Sequence, residues 1–174
     1  MPRALLPQDV VVLAKLVSRN GRRPPIAQLA GELSLSTSQI HLSLKRLELA
    51  RLIDGDSRPL LRPVEEFLIH GVKYAFPPQR GEMTRGMPTA HAAAPLNEAF
   101  ADSSDPAPVW PSPEGHVRGS TFEPLHKIVP AAAAKDPLLY AVLALVDALR
   151  DGRARERQAA ERELSALLRK ALRG

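Results

Sequence analysis

Residues 36–46 read Ser-Thr-Ser-Gln-Ile-His-Leu-Ser-Leu-Lys-Arg, which places four hydroxyls, an amide, an imidazole and two cations within about three helical turns. With Ile40 set at zero and about 100° per residue, Leu44 and Leu47 fall within about 40° of it. Ser38, His41, Leu42, Lys45 and Leu49 fall on the opposite half, and Arg46 lies at its edge. A helix with that division buries one flank and offers hydrogen-bond donors, acceptors and positive charge on the other. Ser38 and His41 suit base edges or phosphates, Lys45 and Arg46 supply charge, and Leu42 suits a thymine methyl. Leu49 is apolar on this outer half, so contact with a neighbouring element or a second subunit is expected of it.

Catalytic chemistry has no comparable footing. The five histidines, at 41, 70, 91, 116 and 126, show neither i,i+4 pairing nor the carboxylate spacing of a metal site. Without cysteine, disulfides and thiolate metal sites are excluded. Arg80-Gly81 and Arg85-Gly86 lack the flanking strand and helix of a phosphate-binding loop. No Ser/His/Asp arrangement stands out, and neither an enzymatic role nor a cofactor is expected.

The elements that hold residues 36–46 can be read from their neighbours. Pro7 or Gln8 to Arg19 predicts a first helix, with Val11, Val12, Leu16 and Val17 as its stripe and Asn20-Gly21 as its stop. Ile26 to Leu33 predicts a second helix, and Ser34 to Ser36 a turn. Ser36 or Thr37 caps a third helix that runs to about Ala50. Ala30 is the small residue where the second and third helices cross, and Leu29, Leu33, Leu35 and Ile40 point inward. Asp54-Gly55-Asp56 marks a turn between Leu52-Ile53 and Leu60-Leu61, which reads as a small hairpin. A fourth helix is predicted from Pro63 to Tyr74, with Val64, Phe67, Leu68 and Val72 inward.

The order LA-x-x-L-x-LS-x-S-x-I-x-x-x-L-x-x-L, followed by Arg51-Leu52-Ile53, resembles the winged helix-turn-helix transcription regulators, particularly the MarR-like group. The resemblance covers residues 7 to about 64. It implies that Ser36, Thr37, Ser38, Gln39, His41, Leu42, Lys45 and Arg46 belong to a DNA-reading helix. Asp54 to Arg58 then match the wing tip, where Arg58 faces two acids, Asp54 and Asp56. The chain departs from the pattern at Ser34 and Arg51, where many members carry Gly.

Residues 75–135 differ in character: 10 of the 17 prolines lie there, with glycines at 81, 86, 115 and 119. Tyr74, Phe76, Phe100, Trp110 and Phe122 lie in or beside it, and disordered linkers are poor in aromatics. The expectation is an extended, docked arm with a short hairpin around Pro113-Glu114-Gly115. Over residues 73–96, Lys73, Arg80 and Arg85 alternate with apolar and turn residues, which suits an acidic partner or a DNA backbone. Beyond it, Asp136-Pro137 starts a helix whose Leu138–Leu149 stretch is apolar nearly all round. Arg153 to Leu172 is amphipathic, with Leu164, Leu167, Leu168 and Leu172 on one face. These leucines must pack on the N-terminal unit, on each other or on another chain.

The fold class expected is therefore mainly α. It comprises a winged helix-turn-helix domain over 1–74, an extended Pro-rich arm over 75–135, and a helical segment over 136–174 for dimerisation or partner binding. Net charge is +5, spread as 10 Lys/Arg against 7 Asp/Glu over 1–72, 6 against 6 over 73–135, and 8 against 6 over 136–174. That excess permits a polyanionic partner without identifying it. No apolar run reaches the length of a membrane span, and the N-terminus lacks a cleavage signal, so a soluble, cytoplasmic protein is expected. The abundance of Ala, Arg and Pro suggests a GC-rich bacterial genome. The function expected is sequence-specific binding of double-stranded DNA by a homodimeric transcriptional repressor. The competing class is a protein-interaction module. A looser resemblance, to regulators paired with nucleotidyltransferase-type toxins, would make the chain an antitoxin-like autorepressor with a partner protein on its arm and C-terminal helices.

Overall fold

The computed structural model describes residues 3–173. The protein is mainly α-helical, with one small three-stranded sheet. Helix α1 spans Pro7–Ser18, α2 Ile26–Leu33 and α3 Thr37–Leu49. Pro7 occupies the first turn of α1, where its missing N–H costs nothing, and the Asp9 carboxylate accepts the Leu6 N–H at 2.8 Å. Ser36 caps α3 in a reciprocal box: Gln39 N–H donates to Ser36 Oγ at 3.1 Å, and Ser36 N–H donates to Gln39 Oε1 at 2.9 Å. After α3, Ile53 bridges Pro59 in antiparallel fashion, and Leu60 N–H donates to the Leu52 carbonyl.

Helix α4 spans Leu61–Glu66 and α5 Val72–Ala75, joined by a π-helical turn over Phe67–Gly71. A Cβ on Gly71 would stand 2.8 Å from the Phe67 ring, so a side chain there would displace that ring. Strands β1 (Arg80–Pro88), β2 (Pro108–Pro111) and β3 (Val117–Phe122) follow, then α6 (Val129–Ala134), α7 (Pro137–Asp151) and α8 (Ala154–Leu172).

The interval 75–135 is therefore not an extended arm. It contains the sheet and α6. β1 pairs antiparallel with β3 through its first part and with β2 through its end, and Gly86 lies opposite both Pro111 and Val117. The turn at Pro113-Glu114-Gly115 is present, but it does not close a simple hairpin. The strands that it joins flank β1 and run parallel where they meet, Pro108 beside Ser120 and Val109 beside Thr121. Closing so small a ring forces backbones together. A Cβ on Gly86 would run into the Trp110 carbonyl, and one on Gly119 into that of Ala107. The prolines that made the segment read as irregular take positions where no ladder N–H is needed, including both ends of β2.

Helix α1 is the axis of the molecule. Every residue from Gln8 to Val17 is buried, not merely a stripe, because α3, α7 and α8 all pack on it. Leu164 and Leu168 of α8 are fully buried and Ala160 with them, while Leu167 and Leu172 pack at the edge. The C-terminal leucine stripe is thus covered by α7, α4 and α1 of the same chain, and it is not left open for a second subunit. One continuous hydrophobic core takes in residues from all three sequence segments.

Polar groups inside that core are paired. Asp147 of α7 accepts from Thr89 Oγ1 at 2.7 Å, Trp110 Nε1 at 2.8 Å and Arg150 Nη1 at 2.9 Å, which ties the sheet to α7. Tyr140 reinforces the seam: its ring lies 5.3 Å from that of Trp110, and its hydroxyl donates to the Pro88 carbonyl at 2.6 Å. Lys15 of α1 reaches Asp136 at 2.8 Å and Glu32 at 3.3 Å, joining α2 to the start of α7. Among the described residues, no helix is long and apolar enough to cross a membrane.

Candidate nucleic-acid interface

Helix α3 turns Ile40, Leu44 and Leu47 into the core and leaves Thr37, Ser38, His41, Leu42, Lys45 and Leu49 in solvent. Ser36 and Gln39 are exposed too, but their side chains are spent first on the cap, so part of their hydrogen-bonding capacity is already used. Leu42 and Leu49 are 42% and 57% exposed.

Arg46 is the exception and a correction. Its side chain is 3% exposed and lies against Asp9 of α1, with Nε 2.7 Å from Oδ2 and Nη2 2.8 Å from Oδ1. Ser43, also buried, accepts from Gln8 at 2.9 Å. The hydrogen bonds to Asp9 raise the guanidinium pKa, and they outweigh the opposing effect of burial, so the group stays cationic. Arg46 is therefore a strut between α1 and α3, and its charge is unavailable to a ligand. The helical wheel put it at the edge of the polar half. A buried carboxylate on α1 drew it inward, because neither charge can be left unpaired in the core.

The loop 54–58 is built around Asp54. Asp54 Oδ1 accepts the N–H of Asp56 at 2.8 Å and of Arg58 at 2.9 Å, and so shapes the turn. Arg58 is exposed, and it lines a groove with Arg19, Arg22, Arg23, Asn20 and Gln28. Arg19 is paired with Glu32. Arg22, Arg23 and Arg58 are exposed, and no carboxylate of the described residues is within ion-pair distance of them. Sequence reasoning passed over Arg22 and Arg23. The signal was a basic pair in the turn before α2, whose relation to Arg58 only the fold reveals.

No family model, curated protein or solved structure matches the chain.

Among the described residues, no group of three or more His, Asp or Glu side chains is placed to hold a metal ion. What the α3 face can do chemically is recognise. It offers hydroxyls, an imidazole, the apolar Leu42 and an ammonium on one helix, while a separate groove between the end of α1, the start of α2 and Arg58 carries three guanidinium groups without an ion-pair partner.

Proposed function

We propose that the chain is a sequence-specific duplex DNA-binding regulator of the winged helix-turn-helix type, acting as a transcriptional repressor. The observation that carries this reading is the outer face of α3, where Thr37, Ser38, His41, Leu42 and Lys45 are all exposed while the apolar flank is buried. A helix of 13 residues is about 20 Å long and fits the major groove, which admits one helix. In this reading Ser38 and His41 address base edges, Leu42 meets thymine methyls, and Lys45 holds a phosphate. Arg22, Arg23 and Arg58 bind the flanking backbone and fix the register. The 53–59 loop is the wing. It is short, so its contribution is the single Arg58.

Homodimerisation belongs to the same proposal, since one reading helix gains affinity by doubling on a two-fold site. With the C-terminal leucines covered, the support for it is the exposure of Leu49 and of Leu6, the latter 41% exposed, beside a groove lined by Leu5, Leu52 and Phe67.

The test is fluorescence anisotropy of the full chain on duplex DNA from upstream of its own coding sequence, against a scrambled duplex, at two salt concentrations. Specific binding is expected, and Lys45→Ala should weaken it several-fold and reduce the salt slope by about 0.9, one phosphate's worth. Equal affinity for the scrambled duplex, or an unchanged slope in Lys45→Ala, would overturn the assignment.

A further inference from the structure

The β1–β3 ladder sets Arg85 directly opposite Arg118. Residues so placed share a face of the sheet, and like charges there are destabilising. Both arginines are exposed, and neither has a carboxylate of the described residues within ion-pair distance. Arg80 on the same strand is handled differently: it pairs with Asp151 at 3.2 Å and lies over the Phe122 ring. Met83, two residues from Arg85 in an unbroken register and so on its face, is 45% exposed. Two guanidinium groups without an ion-pair partner thus stand beside an exposed, adaptable thioether, a combination suited to contact with another molecule.

The place of this patch argues against its sharing a duplex with α3. α3 packs on α1 and α2, α1 packs on α7, and the sheet is fastened to α7 through Asp147, Trp110 and Tyr140. Two helices therefore stand between the reading helix and the sheet. Glu114, exposed in the turn before β3, adds negative charge that a phosphate backbone would meet unfavourably. Carboxylates on a protein can be placed to match two guanidinium forks and avoid that acid, whereas a uniform polyanion cannot.

We propose that Arg85 and Arg118, with Met83, dock a protein partner that presents paired carboxylates around an apolar side chain. The surface is independent of α3, so the proposal stands apart from DNA reading. The probe is a labelled Glu-rich peptide with a central Leu, titrated against the full chain, alongside a peptide with Lys in place of each Glu. The intact chain should bind the acidic peptide. Arg85→Glu/Arg118→Glu should bind it at least tenfold more weakly and gain binding to the Lys peptide, while Lys45→Ala leaves both unchanged. Arg118→Glu alone should raise the melting temperature, because it converts a repulsive cross-strand pair into an attractive one. No binding of the acidic peptide, equal binding by the double variant, or a lower melting temperature in Arg118→Glu would overturn the proposal. So would a loss of duplex DNA affinity in the double variant matching its loss of peptide affinity, since the face would then be a nucleic-acid surface.

Discussion

Lys45 and Arg46 are adjacent in sequence, alike in charge, and opposite in role. Arg46 is committed to Asp9 inside the molecule, and removing one partner of a buried, doubly hydrogen-bonded pair costs about 3–5 kcal/mol. Arg46→Ala is therefore expected to lower the urea midpoint of unfolding sharply, whereas Lys45→Ala, on an exposed face, should move stability by no more than about 0.5 kcal/mol. Equal midpoints for the two variants would contradict the strut assignment. The two departures from the glycine pattern can also be judged here. Ser34 has φ 54 and Arg51 has φ 60, both in the left-handed region. A side chain there costs about 1–2 kcal/mol, of which glycine's extra unfolded-state freedom returns about half. Ser34→Gly and Arg51→Gly should each stabilise by about 0.5–1 kcal/mol in thermal or denaturant unfolding.

At the scale of elements, α1, α2, α3, α7 and α8 were readable because each carries its own signals, whereas α6 and the π-helical break between α4 and α5 were not read. The α2 bounds Ile26–Leu33, the Ser36 cap, Asp136 capping α7, and Gly152 separating α7 from α8 all follow from local sequence. Asp136 accepts the Leu139 N–H at 3.0 Å, as an N-cap should. The sheet was not readable in this way. A long detour from Pro88 to Pro108 joins β1 to β2, and β1 pairs with residues 21 to 42 positions away. Proline and glycine content pointed to irregularity, when the glycines are there for close backbone approach. Gly86→Ala is expected to open this ring. Trp110, the only tryptophan in the chain, reports on it directly, since its indole is buried, tilted against the Tyr140 ring and bonded to Asp147. A red-shifted emission with far-ultraviolet helicity largely kept is the expected result, and an unshifted emission would count against the tight-ring explanation.

Across the whole molecule, the decisive feature is that α1 is shared. The N-terminal helices and the C-terminal pair bury their apolar faces on the same helix, and Lys15 stitches the two through Glu32 and Asp136. Burial works to raise the Asp136 carboxyl, but Lys15, the Leu139 N–H and the Ser18 hydroxyl outweigh it and hold its pKa below the ordinary value. Glu32 is lowered likewise: burial opposes, and Gln28, Lys15 and Arg19 prevail. A carboxylate with a depressed folded-state pKa stabilises the fold above its unfolded-state value and loses that contribution as pH falls through the folded one. Stability should therefore decline as pH drops below about 4, and Asp136→Asn should be less stable at neutral pH with a shallower acid-side decline. An identical pH profile for the variant would show that the Lys15 junction carries none of that dependence.

Sequence alone determined α1, α2, α3, α7 and α8, the cap of α3, the inward set Ile40, Leu44 and Leu47, and the polar character of the opposite face, but neither α6 nor the π-helical turn between α4 and α5. The features it determined rest on interactions within a few residues of one another. Tertiary structure decided which cation on α3 is free, which arginines gather around Arg58, where the C-terminal leucines are hidden, and that the proline-rich interval closes into a sheet. Those outcomes depend on groups such as Asp9 and Arg46, or Asp147 and Trp110, which are 37 positions apart in each case. Periodicity describes a helix's own faces. What a buried charge demands of the helix beside it emerges only when the two are packed.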